Sequence, residues 1–142
     1  MHEETLASVD LFSSLDKKEL RHLANSCQER KYAAGSVLIQ QGSTGAGLFV
    51  ITEGHVKITQ EVDPDRAIIE LATAGAGDVL GEMALLDDLP RSATVTAVED
   101  VTALLLPIWD FRAAMRNNPD IALKLLARLT HRLRNLESDR RD

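Results

Sequence analysis

Gly81-Glu82-Met83-Ala84-Leu85-Leu86, followed after three residues by Pro90-Arg91-Ser92-Ala93-Thr94-Val95, is the stretch on which the reading of this chain turns. It sets a turn, a carboxylate, a short apolar segment and an arginine in close succession. Gly81 lets the backbone turn sharply and approach a ligand with no Cβ in the way. Met83-Ala84-Leu85-Leu86 can form about one helical turn. The first N–H groups of a helix lack intrahelical partners and sit at its positive end, which suits an anion. Pro90 resists helix and gives a fixed-φ entry into an extended segment, which aims Arg91. A guanidinium offers a planar fork of donors matched to two phosphate oxygens. Glu82 would repel a phosphate, so its useful partner is a hydroxyl such as a ribose 2′-OH. Ser92 adds a hydroxyl and an N–H beside the arginine. Together these groups ask for a ligand with a hydroxyl and a phosphate side by side. The bland alternative is a tight turn carrying a Glu82–Arg91 surface salt bridge, and either half of the stretch alone would carry no information.

Working outward, residues 31 to 106 read as a succession of short strands. Val37-Leu38-Ile39, Leu48-Phe49-Val50-Ile51, Val56-x-Ile58, Ile68-Ile69-x-Leu71, Ala93 to Ala97 and Val101 to Leu106 are apolar or alternating runs. Turn residues separate them at Gly42 to Gly47, Glu53-Gly54, Asp63-Pro64-Asp65 and Gly75 to Asp78. Strands at this spacing predict a sandwich or barrel. Gly42-x-x-Gly45-x-Gly47 lacks the Lys-Ser/Thr and helix of a nucleotide loop and reads as a strand connection. Before the strands, Asp16 and Glu19 form a capping-box pattern, with Leu15, Leu20, Leu23 and Ala24 as a buried stripe through about Ser26. After Pro107, Ile108 to Asn117 reads as a short helix. Asn118-Pro119-Asp120 then opens a longer one that runs to about Glu137.

Composition is that of an ordinary globular chain: 142 residues, 44% hydrophobic, 27% charged, net charge −6. That length supports one domain with a real core. No basic stretch marks a DNA binder. Cys27 is the single cysteine, so no intrachain disulfide can form. No apolar run approaches the ~20 residues needed to cross a bilayer, and the N-terminus lacks a signal-peptide pattern. The expectation is a cytoplasmic domain that contacts neither DNA nor membrane.

The whole stretch from Gly81 to Val95 resembles the phosphate-binding cassette of cyclic nucleotide-binding domains, as found in catabolite activator proteins, protein kinase A regulatory subunits and cyclic-nucleotide-gated channels. Gly35, Gly42, Gly45, Gly54 and Gly77 fall where that family has turn glycines, and the run from Phe12 to about Leu136 fits end to end. Bacterial channel-type domains look most similar. The resemblance implies a mainly β fold with flanking helices: a jelly-roll β-barrel over about 31–106, a helical start over about 8–30 and C-terminal helices over about 107–138, all in one domain spanning 1–142. It implies that Glu82 accepts from the ribose 2′-OH and that Arg91, Ser92, Gly81 and Ala84 hold the cyclic phosphate. Leu71, Val79, Leu80, Met83 and Ala93 would line the pocket. No catalytic residue, metal or cofactor is implied; the ligand is cAMP, with cGMP as the alternative. In the family a threonine after the arginine often accompanies cGMP and an alanine cAMP, and Ser92 lies between them, with less bulk than threonine. Ser43 after Gly42 departs from the family's common acidic or amide residue, and Asp87 and Asp88 add carboxylates to the cassette turn.

The family's C-terminal helix closes over the base. By position Arg132 is the candidate base contact, with Arg134 in reserve, against the plain alternative of solvated arginines. Ala122, Leu126, Leu129, Leu133 and Leu136 form a heptad-like stripe. Packing onto the barrel is the first expectation for it, and a helix pair in a homodimer the second. A cupin-type metal enzyme is the rival from another class. It would need converging histidines, whereas His2, His22, His55 and His131 are far apart in sequence. A third possibility is a copy of the fold that binds no nucleotide, against which Glu82 and Arg91 both stand. Because the chain stops at Asp142, soon after the last helix, the expectation is a stand-alone sensor with an unidentified effector protein, or one module of a larger regulator.

Overall fold

The computed structural model describes residues 2–44, 46–62, 67–81 and 89–141. The chain begins with α1 (Glu3–Ala7), a 3-10 turn (Asp10–Phe12) and α2 (Lys17–Ala24). Among the described residues eight strands follow: β1 (Gln28–Tyr32), β2 (Val37–Ile39), β3 (Gly47–Glu53), β4 (Val56–Val62), β5 (Ala67–Ala74), β6 (Val79–Leu80), β7 (Thr94–Ala97) and β8 (Val101–Pro107). Helices α3 (Ile108–Asn117) and α4 (Pro119–Arg141) close the chain. The strands pair antiparallel into two four-stranded sheets, ordered β1-β8-β3-β6 and β2-β7-β4-β5. This is the expected jelly roll between flanking helices.

Period-two alternation explains how the layers assemble. On β3, Phe49 and Ile51 join Val56, Val95 and Ala97 of the facing sheet in one buried cluster between the sheets. Leu48 and Val50 point the other way and are buried against Phe12, Leu23, Phe111 and Ile121 of the helices. β8 does the same, with Ala103 and Leu105 inside and Leu104 and Leu106 toward the helices. A strand buried on both faces reads as an unbroken apolar run, which is why Leu48-Phe49-Val50-Ile51 and Leu104-Leu105-Leu106 lack alternation. β7 has one solvent face and alternates Thr94, Val95, Thr96, Ala97.

The helices obey local chemistry. Asp16 caps α2 by accepting from the Glu19 N–H at 2.8 Å, and the Glu19 carboxylate accepts from the Asp16 N–H at 2.9 Å. The capping box is therefore complete. Pro107, fixed in extended geometry, is the N-cap of α3. α1 precedes the helical start expected from sequence; its buried contribution is Leu6 alone.

The stripe expected to pack α4 on the body does not. Ile121 and Leu125 are the fully buried residues, Leu129 is half-buried, and Leu126, Leu133 and Leu136 are about 60% exposed. The packing face is offset from the heptad reading because Ile121 and Leu125, four apart, meet α3 and the 3-10 turn.

Candidate functional site

Arg91 is placed by backbone before its side chain comes into play. Its N–H donates to the Ser43 carbonyl at 2.8 Å, and its own carbonyl accepts from the Gly42 N–H at 2.9 Å. One residue earlier in that turn, the Gln41 N–H donates to Thr94 Oγ1 at 3.0 Å. The turn after β2 therefore fixes the start of β7, and the arginine emerges from a rigid corner.

Arg91 is 93% buried, and its guanidinium fork reaches two other segments. Nη2 donates to the Gly47 carbonyl at 2.6 Å and Nη1 to the Gly81 carbonyl at 3.2 Å. Two glycines make this possible. Gly81 has φ +76°, and a Cβ there would lie 2.1 Å from Nη1. Gly47 has φ +151°, and a Cβ there would lie 2.0 Å from the Leu106 carbonyl oxygen. The sequence reading takes Gly47 only as part of a strand connection. The signal is nonetheless there, since a glycine opening an apolar strand marks a close backbone approach.

Beside Arg91 lies a half-open hollow of about 270 Å³. Leu38, Ile39 and Phe49 supply its apolar wall, and Ser43 and Thr44 its polar rim. An apolar cleft with one buried cation and a few hydroxyls is the usual form of a small-molecule site.

Other expected site residues fall as follows. Glu82, Met83 and Ala84 lie outside the described residues. Leu80 is buried between the sheets near Ile39 and Phe49. Val79 packs on the helix-side core, because successive residues of β6 face opposite ways. Leu71 is 52% exposed, at the point where the β4–β5 register slips. Ala93 is half-buried and Ser92 exposed, the Ser92 carbonyl accepting from Gln60 Nε2 at 3.0 Å. Arg132 Nε donates to Asp10 Oδ2 at 3.1 Å, so it is engaged with the N-terminal segment. Arg134 is exposed.

The remaining reactive groups are quiet. Burial, with a smaller contribution from Asp110, pushes the Cys27 thiol up to about 12, so it is protonated at neutral pH and no nucleophile. His55 pairs with Glu99 at 2.6 Å on the surface.

Residues 29–118 match the model of the cyclic nucleotide-binding domain. The chain belongs to the cyclic nucleotide-binding domain family. It is 36% identical over 119 residues to a cyclic nucleotide-gated potassium channel of Rhizobium etli, covering 84% of this chain and 32% of the channel. It is 36% identical over 129 residues to the cyclic AMP receptor protein of Thermus thermophilus, covering 89% of this chain and 58% of that one. The chain thus spans less than two thirds of either relative. Among solved structures, the N-terminal domain of a transcriptional regulator from Streptomyces coelicolor A3(2) superposes with a TM-score of 0.85 at 34% identity, covering 94% of this chain and 95% of that one. No described helix is long and apolar enough to cross a membrane.

Proposed function

We propose that this chain is a sensor module that binds 3′,5′-cyclic AMP and catalyses no reaction. The carrying observation is Arg91: a buried guanidinium, locked in place by Gly81 and Gly47, at the edge of a small hollow and inside the family's cassette motif. In this reading the phosphate is held by Arg91, Gly81, Ser92 and Ala84, and the ribose hydroxyl by Glu82. Leu80 and its neighbours provide apolar surface. The preference for cAMP over cGMP is supported by Ser92, which has less bulk than the threonine that accompanies cGMP, and by the Thermus relative's cyclic AMP receptor. α4 would close over the base, with Arg132 the candidate contact. Binding then acts by shifting the population of α4 positions, which an effector protein in the cytoplasm reads.

A homodimer through α4 is a second element of the proposal. It is supported by Leu126, Leu133 and Leu136, which are exposed at heptad spacing. Calorimetric titration with cAMP and cGMP, run beside sedimentation equilibrium on the same sample, tests both elements. One site per chain with cAMP the tighter ligand, on a two-chain particle, is expected. Absence of heat with both nucleotides would sink the binding reading, and a monomer at high concentration would sink the dimer.

A further inference from the structure

A row of cations along α4 meets two acids of the N-terminal segment. Lys124, Arg128 and Arg132 recur every four residues and share one helix face. Lys124 Nζ donates to Glu19 Oε1 at 2.6 Å, adding a second bond to the buried carboxylate that completes the α2 capping box. Arg128 Nη2 donates to Asp10 Oδ1 at 2.5 Å, and Arg132 Nε reaches the other oxygen, Asp10 Oδ2. One carboxylate fork thus takes two arginines.

The two halves of α4 are held differently. Ile121 and Leu125 are fully buried beside the Glu19–Lys124 pair, which anchors the first half. Past the half-buried Leu129 the leucines are exposed, and the Asp10 pairs, to Arg128 and Arg132 on either side of Leu129, tie the helix there to the body. Those pairs are displaceable. The Asp10 side chain is 52% exposed, so water can take over its solvation. Among the described residues Arg128 Nε is buried with no hydrogen-bond partner, so the contact leaves a donor unsatisfied.

We infer that Asp10 is an autoinhibitory catch that holds the distal half of α4, and Arg132 with it, on the N-terminal segment and away from the nucleotide. The inference rests on the cAMP-binding reading and on α4 acting as its lid. A ligand that needs Arg132 must displace Asp10. The latched fraction lowers apparent affinity by the share of chains that are not competent to bind.

The test uses Asp10→Asn, close to isosteric, and Arg128→Gln, which weakens the catch while leaving Arg132 in place. Amide hydrogen exchange without nucleotide reads the catch itself. Exchange at residues 126–137 should quicken in both variants, with residues 121–125 unchanged. Calorimetry with cAMP reads the inhibition, and binding should tighten about three- to tenfold in both variants, within the usual range of coupling between sites. Unchanged exchange at 126–137 would show that Asp10 is no catch. Faster exchange with equal or weaker affinity would show that the contact inhibits nothing. Loss of the binding reading itself would be seen separately, as a parent chain that takes up no cAMP while the exchange result still decides the catch.

Discussion

Two arginines singled out by sequence end in opposite circumstances. Arg91 lies just ahead of β7, is 93% buried, and is fixed through backbone hydrogen bonds to Gly42 and Ser43 before its side chain bonds to Gly81 and Gly47. Arg132 rides the outer half of a 23-residue helix and shares a half-exposed carboxylate with Arg128. The first is preorganised by the fold, since moving it would break bonds in three elements. The second is paired with a half-exposed carboxylate that water or another anion can replace. In the proposed site, a rigid anion receptor is paired with a movable second contact. Rigidity lowers the cost of ordering at the phosphate, and mobility gives the ligand something to change.

The largest expected effect tests the rigid side. Arg91→Ala should cost on the order of 2–5 kcal/mol of cAMP binding, because a buried phosphate would lose its charged partner. The same change strands the buried Gly47 carbonyl, which should cost a further ~1–3 kcal/mol of folding stability. Calorimetry and a thermal melt separate the two. A variant that melts lower yet binds like the parent would make Arg91 a tie between carbonyls and nothing more.

Next in size is Gly81→Ala. The left-handed backbone at φ +76° costs about 1–2 kcal/mol for any residue with a Cβ. At Gly81 the new methyl also meets Arg91 Nη1 at 2.1 Å and must push the fork aside. Binding should fall about tenfold, or ~1.4 kcal/mol. Gly35→Ala supplies the comparison: its φ is +87°, and a Cβ there meets nothing within 4 Å. It should lower the melting temperature similarly while leaving cAMP affinity alone. Equal affinity losses in both variants would mean that the fork is not held as described.

The difference between the arginines also marks how far the sequence can be read. Motif and turn chemistry act over a few residues, so Gly81, Pro90 and Arg91 announce their roles, as does the capping box at Asp16 and Glu19. Double burial of β3 and β8 shows as unbroken apolar runs, and Pro107 marks the start of α3. What stays hidden depends on contacts distant in sequence. Gly47 lies 44 residues from the fork it receives. Asp10 lies 122 residues from Arg132. The periodicity of α4 shows that it is helical and amphipathic but not which of two apolar faces meets the body. Leu126, Leu133 and Leu136 make the better heptad, yet Ile121 and Leu125 are the residues buried. Val79 and Leu80 take opposite faces, a one-residue step on a two-residue strand.

The smallest effect sharpens the movable side. Burial pushes the Asp10 carboxyl upward, but the hydrogen bonds and charges of Arg132 and Arg128 outweigh it and hold the group below its ordinary value of 3.8. A carboxylate depressed by folding contributes stability that is fully present above the unfolded value and is lost as the pH falls through the folded one. The Asp10 pairs should therefore hold the distal half of α4 unchanged down to about pH 3.8 and weaken only below it. Other carboxylates titrate in the same window, so the quantity to measure is a difference. Amide shifts of residues 126–137 should separate the parent from Asp10→Asn at pH 5 and converge as the pH drops below 3.8. The direction is decided by charge: protonated Asp10 offers two guanidinium groups no anion, which is the condition the Asp10→Asn substitution imposes at every pH. Convergence already at pH 5 would mean that the carboxylate never carried the contact, and Arg132 would then be held by packing of the helix.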